Sequence, residues 1–233
     1  MIDNDNLYLF ELILIMPIFT QKKKKLFFIK YYSFLFIHIP RTSGSSVEDY
    51  FKKMGYSIKL LDRDYNTNKN KSFLKISPQH LYLNDVLSFS SSNNFTKIFT
   101  IVRNPIDRFI SAYNFAKNCG LMDSSYTISS FIDHILDNTI NINFDFDRHF
   151  ASQSDFIKND LGINIDIFKF EELHEFYKYL HSFNSKKYPI EKTNSTTHLE
   201  SNLKRTDKKR ISEIYKDDFN NFGYNLYWYI NYH

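Results

Sequence analysis

Apolar residues in this chain fall into two alternating kinds of run, and their order predicts a layered α/β fold. Residues 32–39 and 95–102 are short, β-branched and aromatic, as central parallel strands are. Between them Val47, Tyr50, Phe51 and Met54 recur at i, i+3, i+4 and i+7, the stripe of an amphipathic helix that Gly55 stops. Further strands are expected at 57–61 and 163–170. Helices are expected at 45–54, near Leu81 to Leu87, from Pro105, around Ile128 to Leu136 and from Glu171 to about Phe183. Phe109, Ile110, Tyr113 and Ala116 form one buried stripe, Leu173, Phe176, Tyr177 and Leu180 another, and Ile211, Ile214, Tyr215, Phe219 and Phe222 a third. Such alternation implies a three-layer α/β architecture, a mostly parallel sheet with helices on both faces.

Two strand-to-helix junctions carry polar residues suited to anions. The first runs Pro40-Arg41-Thr42-Ser43-Gly44-Ser45-Ser46. Arg41 offers a fixed charge, the hydroxyls offer donors, and Gly44 lets the backbone approach an anion at a helix N-terminus. Taken alone it reads equally as a hydroxyl-capped helix start, and it lacks the G-x-x-x-x-G-K-[ST] spacing and lysine of a Walker loop. The second junction reads Arg103-Asn104-Pro105, with Asn104 as helix cap and Pro105 in the first helical position. Arg103 leaves the carboxyl end of a strand, where open α/β sheets bind ligands, and Ser111 follows within the helix, on one face with Arg108. Two such junctions in one sheet suggest a ligand with two separated phosphates.

Composition narrows this only moderately. The 233 residues carry 30 Lys and Arg against 26 Asp and Glu, a net charge of +4 that is too mild for a nucleic-acid binder and sufficient for an anionic cofactor. A single cysteine, Cys119, excludes an internal disulfide and a cysteine-rich metal site. The apolar stretch Leu7 to Phe19 falls short of the roughly twenty residues of a bilayer span, and Glu11 and Pro17 interrupt it. Residues 1–25 therefore read as an N-terminal extension, disordered or preceding a true start at Met16, with Lys22 to Lys25 as a solvated turn or a weak contact for anionic lipid. Residues 26–233 read as one domain, and a cytoplasmic location is expected.

The pair FIHIPRTSGSS and FTIVRNPIDRFISAY resembles the two phosphate motifs of the sulfotransferases that use 3′-phosphoadenosine 5′-phosphosulfate (PAPS). It is most similar to the carbohydrate sulfotransferases related to heparan sulfate 2-O-sulfotransferase and their bacterial relatives. Ser77-Pro-Gln-His80-Leu, Arg148-His149-Phe-Ala-Ser-Gln153-Ser154, Phe170-Glu171-Glu172-Leu173 and Ile214 to Tyr224 follow in the expected order, so the resemblance covers about residues 30 to 225. It implies a PAPS donor, no metal, and a carbohydrate hydroxyl as acceptor. It further implies that Thr42, Ser43, Gly44, Ser45 and Ser46 hold the 5′-phosphate, that Arg103 and Ser111 hold the 3′-phosphate, and that Ser195 lies in a segment closing over the nucleotide.

Arg41 stands where the family loop usually carries lysine; a guanidinium stays charged and stabilises a leaving group without giving it a proton. By the same resemblance His80 is the general base, a residue type whose ordinary titration suits proton removal near neutrality. On residue pattern alone His80 reads as a surface histidine beside a helix. His149, with Asp147 and Arg148, reads as an acceptor face or a solvated loop, and His38 as a core hydrogen bonder or a second acceptor contact. A P-loop kinase or nucleotide hydrolase would need a Walker lysine and a magnesium-binding acidic residue at a strand end, neither of which is apparent. A non-catalytic nucleotide-binding relative is the other alternative.

Overall fold

The computed structural model describes residues 18–25, 28–59, 61–62, 76–183, 203–227 and 229. Among these, strands β1 (Ile18–Lys25), β2 (Phe28–Ile37), β3 (Ser57–Lys59), β4 (Lys97–Val102) and β5 (Asp166–Lys169) form one sheet in the order β3-β1-β2-β4-β5. β2, β4 and β5 pair in parallel, while β1 is antiparallel to β2 and to β3. Four of these strands thus run one way and β1 opposes them, which agrees with the mostly parallel sheet expected from the sequence.

β1 corrects the reading of Ile18 to Lys25 as part of an extension and of Lys22 to Lys25 as a turn, while residues 1–17 lie outside the described residues. All eight residues of β1 pair with β2, from Ile18 opposite Leu35 to Lys25 opposite Phe28, and Ile18 to Thr20 also pair with β3. Ladder pairing supplies partners for the backbone N–H and C=O groups, and this outweighs the low strand preference of lysine.

Strand alternation sorts the sheet into two faces. Phe34 and Phe36 on β2, with Phe99 and Ile101 on β4, pack under α1 (Gly44–Lys53) and α6 (Leu173–Phe183) through Val47, Tyr50, Phe51, Phe176 and Leu180. Leu35, Ile37, Ile98 and Val102 face the other way, against α2 (Leu83–Leu87) and α5 (Gln153–Ile157) through Leu83, Val86 and Phe156. A further cluster joins α3 (Pro105–Asn118), α4 (Ile128–Leu136), α7 (Arg205–Ile214) and α8 (Lys216–Phe222), centred on Phe109, Tyr113, Phe131, Phe150, Ile211 and Tyr215. The sheet is therefore covered on both faces, as the helix stripes predicted. Boundaries differ at the edges: β5 starts only at Asp166, and a 3-10 turn over Phe170–Glu172 precedes α6. No described helix is long and apolar enough to cross a membrane.

Candidate active site

Beyond β2 the chain turns sharply into α1. Arg41 and Ser43 hold left-handed backbone angles, φ 69° and 79°, which residues other than glycine adopt at a cost of about 1–2 kcal/mol each. The Thr42 hydroxyl is buried and donates to the Ile39 carbonyl at 2.8 Å, so it shapes the turn from within. The Ser43 side chain makes no capping bond to α1; the Ser46 and Val47 amides bond to the Ser43 carbonyl at 3.0 and 3.2 Å.

Gly44 serves a purpose its sequence context did not reveal. A Cβ on Gly44 would fall 2.0 Å from His38 Nε2, so the missing side chain makes room for an imidazole. Room for that ring is a second reason for glycine here, beside the backbone approach to an anion expected from the sequence. The His38 ring is held by Glu48 of α1, with Nδ1 and Oε1 2.7 Å apart and both residues buried, which bears out the core hydrogen bond.

The second turn, beyond β4, is satisfied within the protein. Asn104 caps α3 by accepting from the Ile106 and Asp107 amides at 3.0 and 3.4 Å, and its own amide donates to Glu171 at 2.7 Å. Buried Gln153 brackets Arg103, accepting from its amide at 2.9 Å and donating to its carbonyl at 2.8 Å. Asp218 of α8 fixes Gln153 in turn by accepting from its amide at 2.9 Å.

The two turns converge. Arg41 Nε donates to the Ser111 hydroxyl at 3.1 Å, and Arg103 donates to the Arg41 carbonyl at 3.3 Å. Ser111 thus meets Arg41 directly, whereas the sequence grouped it with Arg103. Arg103 rests over the Phe170 ring, and its Nε is buried with no partner among the described residues. Burial, and then the neighbouring Arg103 charge, push the Arg41 pKa down to about 10, so the site favours an arriving anion. Arg108 is fully buried and bonds to the carbonyls of Pro40, Ala151 and His149, tying the first turn to the opposite wall.

That wall is built on an unusual backbone. Phe146, Asp147 and Arg148 are successive residues with φ of 55°, 54° and 62°, and strained stretches of this kind collect at functional sites. The result is that Asp147 meets His80, which follows Pro78 in a short 3-10 turn. His80 Nδ1 lies 2.8 Å from Asp147 Oδ2 and 2.9 Å from the Ser77 hydroxyl, which itself donates to Asp147 in a short contact. The Ser77 amide donates to the other carboxylate oxygen at 2.7 Å. A carboxylate only accepts, so the His80 proton belongs on Nδ1 and the lone pair on Nε2. Burial alone raises the Asp147 pKa, but His80 and the two Ser77 donors outweigh it and hold the carboxyl well below its ordinary range.

His149 is buried, and burial with the adjacent His80 pushes its pKa down to about 3. It does not belong to a solvated loop. Its ring stacks on Phe115 at 4.8 Å, and the Arg41 guanidinium lies 4.7 Å from the centre of that same Phe115 ring. His80 makes edge contacts with His38 and His149, ring centres 5.1 and 5.2 Å apart. Arg148 binds Asp85 and the His80 carbonyl. Although the sequence offered no metal-ligand spacing, the fold gathers His80, Asp147 and His149 so that one donor atom of each lies within 4.8 Å of the others.

Arg41, Thr42, Ser43 and Arg103 therefore lie on the two joined turns, Gly44, Ser45 and Ser46 in the first turn of α1, Ser111 in α3, and His80 on the facing wall. Ser195 lies outside the described residues. Sequence reasoning missed Ser77, Glu48, Gln153 and Phe115, and missed the pairing of Asp147 with His80. The spacing of Ser77 and His80 was the one local signal available.

A mostly parallel sheet with arginines beyond two neighbouring strands, beside a buried histidine and carboxylate, is an α/β architecture carrying the groups that anion binding and acid-base chemistry use. The sequence model of the sulfotransferase family matches residues 24–225, and the chain belongs to that family. Comparison with curated proteins and with solved structures returns no match. Membership makes the chain a transferase of sulfuryl groups.

Proposed function

We propose that this protein transfers the sulfuryl group of PAPS to a hydroxyl of a carbohydrate acceptor. The observation that carries the reading is the connection from Arg41 through Phe115 and His149 to the His80 and Asp147 pair, which joins an anion site to a base. The buried, unpartnered Arg103 Nε fits a doubly phosphorylated nucleotide, since such a donor is costly without an acceptor. When bound, the phosphosulfate supplies the sulfuryl group that the acceptor oxygen receives.

The remaining work falls to this chain. The backbone of Thr42 to Ser46 holds the 5′-phosphate at the N-terminus of α1, where the Ser43 side chain makes no capping bond. Arg103 holds the 3′-phosphate with Ser111, and Ser111 also orients Arg41. Arg41 offsets charge on the departing phosphate and keeps its own proton. His80 Nε2 accepts the acceptor proton, while Asp147, ionised, holds Nδ1 and stabilises the imidazolium that forms.

Asp147→Asn tests this. An amide would present N–H to His80 Nδ1, turn the imidazole to its other tautomer and remove the lone pair from Nε2. Transfer of labelled sulfate should fall by roughly 10²- to 10⁴-fold, with adenosine 3′,5′-bisphosphate affinity unchanged. An undiminished rate removes His80 from the role of base. Thermal stabilisation by ATP with magnesium, and none by adenosine 3′,5′-bisphosphate, overturns the donor.

A further inference from the structure

His80, Asp147 and His149 also have the composition and support of a metal site. All three are buried, and one donor atom from each lies within 4.8 Å of the other two. Their outer contacts are fixed in the way that metal-ligating side chains require. The Asp147 carboxylate is pinned by the Ser77 amide and hydroxyl, and His149 Nδ1 sits 2.7 Å from the Phe146 carbonyl. A carbonyl accepts only, so His149 carries its proton on Nδ1 and keeps the Nε2 lone pair for a ligand.

We propose that His80, Asp147 and His149 bind a divalent transition-metal ion, zinc being the best match, and that the ion inhibits transfer. Two imidazoles with one carboxylate suit zinc, whereas magnesium and calcium favour oxygen donors. Asp147 supplies the negative charge and the adjacent Arg148 is engaged by Asp85 at 2.9 Å, whereas Arg41, across the Phe115 ring from His149, opposes the cation and limits its affinity. A tetrahedral ion with bonds near 2.0–2.1 Å keeps its donors about 3.3 Å apart. With His80 Nδ1 as ligand, its 2.8 Å contact to Asp147 opens by about half an ångström, a movement within reach of side-chain rotation; with Nε2 as ligand that contact is kept and the imidazoles are drawn inward. Three protein ligands leave the fourth position to water.

Inhibition follows from whichever nitrogen His80 uses. Through Nε2, the ion takes the lone pair that the acceptor proton needs. Through Nδ1, it breaks the Asp147 contact that fixes the tautomer. Only this consequence rests on the proposed role of His80; binding of the ion does not.

Calorimetric titration of the full chain with zinc chloride, without nucleotide and in a non-chelating buffer, should give one equivalent bound through these residues. Cobalt in its place should show the visible absorption of a tetrahedral site. His149→Gln and Asp147→Ala should each weaken binding by about a hundredfold or more, while His134→Gln on α4 should not. Imidazole nitrogen resonances of the unaltered protein, shifting for His80 and His149 on zinc addition, give the same answer without a substitution that endangers folding. Absence of binding, unchanged affinity in both variants, or unmoved His80 and His149 resonances overturns the site. Zinc that binds here yet leaves sulfate transfer intact overturns the inhibition and also the assignment of His80 as base. Zinc bound here that inhibits transfer, with activity restored by a chelator, supports both.

Discussion

The turns that follow β2 and β4 occupy equivalent places at the ends of neighbouring parallel strands, yet they are built on opposite principles. The β4 turn is closed upon itself: Asn104 caps α3, Gln153 holds both backbone groups of Arg103, and Glu171 takes the Asn104 amide. Only the Arg103 side chain is left to act. The β2 turn keeps two non-glycine residues at positive φ and begins its helix without a side-chain cap. One turn presents a guanidinium from a relaxed frame, and the other offers its backbone at the cost of strain. A ligand that binds both would meet a side-chain clamp on one phosphate and a backbone cradle on the other.

The β2 turn is most sensitive at Gly44. Gly44→Ala drives a Cβ into the buried His38 ring, and the ring cannot retreat easily while Glu48 holds it. Overpacking of this order costs about 1–3 kcal/mol, so thermal unfolding should drop by roughly 2–12 °C and nucleotide binding should suffer with it. His38→Ala combined with Gly44→Ala should recover part of the loss by vacating the space. Equal stability of Gly44→Ala and the unaltered protein would show that the turn is loose and that its strain has no structural cause.

Arg103 sharpens the other side. Because the protein holds its backbone from both directions, Arg103→Gln should leave the turn in place and remove the charged contact alone. Affinity for adenosine 3′,5′-bisphosphate should fall by about 10- to 100-fold, the loss of one or two charge-assisted hydrogen bonds. Calorimetry showing unaltered affinity would assign the 3′-phosphate elsewhere.

The same contrast explains what could be read from the sequence. The β4 turn was legible because Asn followed by Pro is a local signal, and local capping rules decided it. The stripes of α1, α3 and α6 and the two-faced sheet were legible for the same reason, since periodicity is a short-range property. The β2 turn was legible in composition and not in conformation. Its positive φ values fall on Arg41 and Ser43, where no residue letter announces them, and Gly44 answers to a ring positioned by a carboxylate on the following helix. Asp147 was harder still: it meets His80 across 67 residues, through three successive left-handed residues that lack glycine. β1 was missed because its pattern is lysine-rich, and its strand character comes from neighbours on both sides.

The smallest effects test whether the α1 start is open at all. Asn104→Ala removes two accepted amide bonds and should cost about 1 kcal/mol, or roughly 2–4 °C in thermal unfolding. Ser43→Ala, at the corresponding position of α1, removes a side chain that makes no capping bond and should change stability by less than about 0.5 kcal/mol. The inequality is the informative quantity. Similar losses at the two positions, measured in the same melts without nucleotide, would mean that Ser43 caps α1 in solution, so that an incoming phosphate must displace a protein group to reach the helix. A loss confined to Asn104 means that the Ser43 side chain does not hold the start of α1, and that an incoming phosphate need not displace it to reach the helix.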